Sequence, residues 1–180
     1  MIKNNFNFND MKIIYEDLII TPKLFKKKFF SKFKEQILIS QLDSDIPSGI
    51  LLQDSYVALL KTMIFFEETY FYGLIVEGKE TNSCTKKDKY FLIDINTNYQ
   101  EYKDYIEENF IFLENILFSA NKSWSLLLTQ DFFGVLSGTT EFIEKYKEFY
   151  PKWKKDMVEI NTVYKKSILL EKDRILPWKK

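Results

Sequence analysis

Two pairs of short runs, each pair joined by a turn, constrain this chain more than any other feature. Residues 69–77 (TYFYGLIVE) and 89–95 (KYFLIDI) are dense in aromatic and branched side chains. They flank a polar stretch, Gly78–Lys89, that reads as a hairpin tip. Residues 124–129 (WSLLLT) and 132–136 (FFGVL) repeat the arrangement around Gln130-Asp131, closed by Ser137-Gly138. Such side chains suit a pleated, half-buried backbone, and a hairpin connection makes the partners antiparallel. Segments of helical period lie between and around these hairpins. The pattern predicts an α+β fold, an antiparallel sheet built from two hairpins with about five helices packed mainly on one side. It argues against a doubly wound parallel sheet, in which single strands alternate with helices. The 180 residues are enough for one full hydrophobic core. No repeat or Pro/Gly-rich linker divides them, so residues 1–180 are read as a single domain.

The helices follow from period and punctuation. Residues 11–20 (MKIIYEDLII) read as a strand. Thr21-Pro22 marks a helix start, because the hydroxyl can cap and Pro has no N–H to leave unpaired. Phe25, Phe29, Phe33 and Ile37 then recur every fourth residue, with Phe30 beside them. Lys26, Lys27, Lys32 and Lys34 fall largely elsewhere on the wheel, which predicts an amphipathic helix with a basic outer side. Asp43–Gly49 is a turn rich in Asp, Ser, Pro and Gly. Tyr56, Leu59, Leu60, Met63 and Phe66 keep helical spacing behind Asp54 or Ser55, with a strand as the alternative for the same residues. A helix is expected from Tyr99 to Phe118, capped by Asn98, with Tyr102, Tyr105, Ile106, Phe110, Leu113, Ile116 and Leu117 inward. Thr139 caps another through Tyr150, with Phe142, Ile143, Tyr146 and Phe149 inward. Pro151 breaks it, and a last helix presents Trp153, Met157, Ile160, Tyr164 and Ile168 on one face.

Composition removes whole classes of chemistry. Histidine is absent and Cys84 is the only cysteine. Ser-His-Asp, Cys-His and His–metal sites are therefore excluded, as are an internal disulfide and a cysteine cluster for zinc or iron–sulfur. The formal net charge is zero and Arg174 is the sole arginine. A nucleic-acid binder is expected to carry a basic excess and arginine forks for phosphate and guanine. The N-terminus, MIKNNFNFND, lacks the apolar core of a secretory signal. The most apolar stretch, Tyr56–Phe66, is interrupted by Lys61 and falls well short of the roughly 20 residues of a membrane span. The expectation is a cytoplasmic protein that engages neither membrane nor nucleic acid and carries no cofactor or metal.

Several motifs invite a sharper reading, and each has a plainer one. Asp94-Ile-Asn96-Thr-Asn98 begins like a calcium-binding loop. Tyr99 then stands where the turn glycine belongs, and Tyr105 where the bidentate glutamate belongs. A strand end running into a helix cap explains it better. Gly134–Thr140 precedes a helix but lacks the lysine and spacing of a phosphate-binding loop. Cys84 lies near Lys86 and Lys87, yet no histidine or second thiol is present to use it. The acidic pairs Asp43/Asp45, Glu67/Glu68 and Glu107/Glu108 are the residue types of glycoside hydrolysis or divalent-metal binding. Adjacent residues on a helix point apart, so a solvated surface is the default.

Charge is segregated along the chain. Glu101, Asp104, Glu107, Glu108 and Glu114 outnumber the single Lys103 in the helix expected at 99–118, whereas the first helix is dominated by lysine. Opposed patches of this kind steer protein partners, although each also serves as an ordinary solvated face. The block Trp124-Ser-Leu-Leu-Leu-Thr-Gln-Asp131, Phe133-Gly-Val-Leu-Ser-Gly138, Phe142-Ile143 and Tyr146 resembles immunity proteins that accompany polymorphic or contact-dependent bacterial toxins. The resemblance spans residues 124–150, carries over no functional residue, and implies a protein that binds and blocks a cognate toxin. With aromatics at 17% as ready interface anchors, the leading expectation is a non-enzymatic binder of a basic protein toxin. Asp104, Glu107 and Glu108 are its expected steering charges, and Asp43 and Asp45 come second. The alternatives are a carboxylate- or metal-dependent enzyme or small-molecule sensor, and a structural subunit of a homo-oligomer.

Overall fold

The computed structural model describes residues 2–3, 7–21, 30–31, 33, 35–43, 45–76, 90–110 and 114–170. The elements run β1 (Ile2–Lys3), α1 (Phe8–Leu18), β2 (Ile19–Thr21), β3 (Phe30–Ser31), β4 (Glu35–Ser40), α2 (Gln53–Phe65) and β5 (Tyr70–Val76). They continue with β6 (Tyr90–Asp94), α3 (Tyr99–Phe110), β7 (Glu114–Ser119), β8 (Trp124–Leu128), β9 (Phe133–Gly138), α4 (Thr140–Phe149) and α5 (Trp153–Leu170). Seven strands form an antiparallel sheet in the order β1-β6-β5-β7-β8-β9-β4, and β2 and β3 form a separate pair. The fold is α+β, as the interleaved hairpins predict. Both expected hairpins are present: β5 pairs with β6 and β8 with β9.

Strand alternation sorts the core into two layers. Ile37, Phe71, Phe91, Leu117, Leu126 and Leu136 face α2, α3 and α4, which contribute Tyr56, Met63, Tyr102, Ile106, Phe142 and Tyr146. Leu38, Tyr72, Ile116, Phe118, Leu127 and Val135 face the other way, onto Met11, Tyr15 and Leu18 of α1 and Ile160 of α5. Three helices thus cover one face and two the other. Helices on both faces explain why the central strands are apolar on both sides.

That double burial is also why β7 is misread from sequence. The helix expected over 99–118 ends at Phe110, and Glu114–Ser119 is a central strand between β5 and β8. A short run apolar on both faces has no period that separates strand from helix, and here sheet pairing decides. Ile116 and Leu117 are therefore strand residues on opposite faces, Glu114 is not on the acidic helix, and Leu113 lies outside the described residues.

The opposite error occurs at the N-terminus, where residues 11–18 are helical rather than a strand. Met11, Tyr15 and Leu18 are buried at helical spacing, and Ile13 between them is 60% exposed. The Asn7 side chain accepts the Asn9 N–H at 3.1 Å and caps the first turn. Ile37, expected at the end of a phenylalanine-rich helix, is a β4 residue, and Phe30 belongs to β3. Phe25, Phe29, Lys26, Lys27, Lys32, Lys34, Cys84 and the 78–89 loop lie outside the described residues. The expected cap at Thr139 is in place, its Oγ1 accepting the Phe142 N–H at 3.2 Å.

β4 is an edge strand, and α5 covers it. Trp153 packs with the α2–α4 layer, while Met157 and Ile160 pack on the opposite layer, so α5 crosses the strand's free side. At the crossing, Ser40 N–H donates to Asp156 Oδ2 at 2.9 Å and Leu38 N–H to Met157 Sδ at 3.2 Å. Tyr150 Oη donates to the same carboxylate oxygen at 2.7 Å. These contacts occupy edge donors that would otherwise template pairing with another chain. Asp156→Ala strands the Ser40 amide and the Tyr150 hydroxyl. It is expected to cost about 2–3 kcal/mol, at the level of a buried unsatisfied donor. Urea unfolding measures that loss, and hydrogen exchange should show faster opening at Ser40. Wild-type stability together with an unchanged Ser40 amide would remove Asp156 as the edge clamp.

Candidate acidic interaction surface

The carboxylates singled out from sequence lie on α3 and on the loop between β4 and α2. α3 opens with a reciprocal cap: Asn98 Oδ1 accepts the Glu101 N–H at 3.0 Å, and Glu101 Oε2 accepts the Asn98 N–H at 3.3 Å. Tyr102 and Ile106 are buried against the sheet, which turns Glu101, Asp104 and Glu108 outward, all exposed. Glu107 is half-buried and accepts an ion pair from Lys103 at 3.5 Å. Asp104 accepts a hydrogen bond from the Gln100 side chain at 2.5 Å.

The 41–51 loop is held to the sheet end by side chains. Gln41 Nε2 donates to the Ile50 carbonyl at 3.0 Å, and Asn115 Nδ2 to the Gly49 carbonyl at 2.8 Å. The Leu51 N–H donates to the Tyr102 hydroxyl at 3.2 Å, tying the loop directly to α3. Asp43 and Asp45 remain exposed, and Asp43 Oδ1 accepts the Asp45 N–H at 2.9 Å.

Tyr99 joins the two acidic segments. Its ring sits 5.8 Å from Tyr56 and 6.3 Å from Tyr102, and Tyr56 and Tyr102 stack at 4.6 Å. The Tyr99 hydroxyl is buried and has no hydrogen-bond partner. Burial first, then the charges of Asp43 and Glu107, push its pKa up to about 12. Asp43 of the loop and Glu107 of α3, 64 positions apart in the chain, both raise the pKa of this one phenol. Asp45 adjoins through its bond to Asp43, and Asp104 and Glu108 extend the surface along α3. The packing of Tyr99 against Tyr56 and Tyr102 has no sequence signature, and Tyr99 reads there as a failed calcium-loop position and a helix start.

Two further carboxylates depart from the solvated reading. Glu68 is 3% exposed. It accepts hydrogen bonds from Ser119 Oγ at 3.0 Å, from Trp124 Nε1 at 3.2 Å and from Ser123 Oγ. Burial raises its pKa against the lowering effect of those donors. Glu114 is half-buried beside the β8–β9 turn. Its pKa is raised chiefly by burial, a hydrogen bond from the Gln130 backbone opposing and the Asp131 charge adding. Asp94, the first residue of the calcium-like segment, accepts both the backbone and side-chain N–H of Asn96 at 2.9 Å. Among the described residues, no group of three or more His, Cys, Asp or Glu is arranged to hold a metal ion.

No family model, curated protein or solved structure matches this chain. Among the described residues no helix is long and apolar enough to cross a membrane.

Proposed function

We propose that this protein is a cytoplasmic binder that neutralises a basic protein toxin by direct contact, in the manner of an immunity protein. The observation that supports the proposal is that the Leu51 N–H docks on the Tyr102 hydroxyl, which ties the loop bearing the exposed Asp43 and Asp45 to α3 with its exposed Asp104 and Glu108. α3 holds Glu101, Asp104, Glu107 and Glu108 against Lys103 alone. Such a surface speeds encounter with a cationic partner and repels an anionic one. The role is binding rather than catalysis, with Asp104, Glu107, Glu108, Asp43 and Asp45 as the steering residues.

The test compares tagged wild-type protein with a Glu107→Lys/Glu108→Lys variant in capture from lysate of the native organism. The expected result is a stoichiometric basic protein that high salt releases and the variant does not retain. Its expression alone should be toxic, and co-expression of the wild-type chain should relieve the toxicity. Association with the purified partner should slow roughly tenfold or more in the variant and lose much of its salt dependence. A partner held equally by both proteins, or none at all, refutes the proposal.

A further inference from the structure

We infer that Leu42 and Phe132 form the apolar anchor of a docking surface for a cationic protein, at the sheet end where the β4–α2 loop meets the β8–β9 turn. The inference rests on the binding reading above and adds where the partner's apolar contact falls. The Gln41 N–H donates to the Phe132 carbonyl at 2.9 Å, which sets the two segments side by side. Leu42 is 42% exposed and Phe132 37%. Neither side chain is needed to fill the core.

The backbone makes Phe132 the more telling of the two. The turn spans residues 130–132 and is closed by the Thr129 N–H and hydroxyl, both donating to the Phe133 carbonyl at 3.0 and 2.8 Å. Its last residue, Phe132, has φ 59°, the left-handed conformation that glycine or asparagine occupies most readily. A bulky aromatic there is held against local preference. The chain thus places a large apolar ring at an exposed tip where a small residue would sit with less strain.

The surroundings select the occupant. Segments 41–52 and 129–133 contain Asp43, Asp45 and Asp131 and no lysine or arginine. All three aspartates are exposed, and Glu114 lies against the same turn. An exposed apolar pair whose own two segments carry exposed aspartates and no cation matches a protein surface that offers an apolar recess ringed by Lys or Arg. The same charges disfavour an anionic membrane. They also disfavour a second copy, because a two-fold contact here would bring like carboxylates together.

The experiment is an NMR titration of the full chain, with methyl and aromatic side chains labelled, by three synthetic peptides of equal length. One alternates Lys with Leu, one Lys with Gly and one Glu with Leu. The Lys–Leu peptide is expected to move the Leu42 methyl and Phe132 ring signals and to bind at least roughly tenfold tighter than Lys–Gly, with no response to Glu–Leu. Phe132→Gly, which suits the left-handed turn, is expected to keep the wild-type spectrum elsewhere and to abolish the advantage of Lys–Leu while leaving Lys–Gly binding unchanged. Equal binding of the two lysine peptides, or an advantage that survives Phe132→Gly, overturns the anchor and leaves the acidic-surface reading standing. Absence of any response at the α3 and 41–45 positions to either lysine peptide overturns both. Binding of Glu–Leu as tight as Lys–Leu, or concentration-dependent shifts of the same signals without peptide, overturns the choice of a cationic occupant.

Discussion

Glu68→Ala is expected to lower the unfolding free energy by about 3 kcal/mol, because it strands buried donors whose loss costs about 1–3 kcal/mol each. The Trp124 indole N–H is fully buried, and Ser119 is buried beside it. Neither is open to water when the carboxylate is removed. A urea midpoint that falls with an unchanged slope reads this loss directly. Wild-type stability in Glu68→Ala would mean that the carboxylate is not what ties β5 to the β7–β8 turn.

The same residue sets a pH dependence with a definite sign. Burial outweighs the three hydrogen bonds and holds the folded pKa above the ordinary carboxyl value of 4.5. The folded chain thus binds this proton more tightly than the unfolded chain does. The stability so contributed is fully present below the unfolded pKa and is lost as pH rises through the raised folded value. Glu68→Gln keeps the shape and cannot ionise. Its stability should therefore fall less steeply than wild type across that window, with a residual slope from Glu114, which is raised in the same direction. Denaturation at a series of pH values measures the difference. Parallel profiles for wild type and Glu68→Gln would show that Glu68 does not titrate as its burial requires.

Gly73→Ala is the second large effect, expected at about 3 kcal/mol, the upper end of the usual cost of overpacking. Gly73 faces Phe91 across the β5–β6 pair, and a Cβ there would lie 2.1 Å from the Phe91 Cζ. The ring is fully buried and cannot swing into solvent. It also meets the Tyr105 ring at a centroid distance of 5.4 Å, so its displacement pushes on α3. A companion Phe91→Leu substitution makes room, and the double variant should be more stable than the sum of the two single losses predicts. Strict additivity would argue that the Gly73–Phe91 contact is not the source of the cost.

How much was legible in sequence can be followed residue by residue. The β5–β6 and β8–β9 hairpins, the Asn98 and Thr139 caps and the α2 and α4 periodicities were readable, because each depends on side chains within a few positions of one another. But Phe149, expected inward, is exposed, and Leu52 rather than Asp54 or Ser55 stands at the α2 N-cap. The expected single face of α5 divides, Trp153 on one core layer and Met157 and Ile160 on the other. β7 and α1 were not readable. Ile116, Leu117 and Phe118 become a strand because β5 and β8 flank them, and Ile13 is exposed because α1 lies on the second face of the sheet. The acidic residues of α3 could be named from sequence, but their neighbour in space could not. The loop that bears Asp43 is tied to α3 only because the Leu51 N–H docks on Tyr102 and the Gln41 side chain holds the loop.

By itself, the sequence determined the fold class, the absence of histidine chemistry and the concentration of carboxylates on one helix, since composition and local period are properties of neighbouring residues. Only the tertiary structure decided that Glu68 is buried under Trp124 and that β7 is the sheet's central strand. It also set the segment of Leu42 beside that of Phe132, through the Gln41 N–H on the Phe132 carbonyl. Those outcomes rest on contacts between distant segments, whose free energy exists only once the sheet has brought them together.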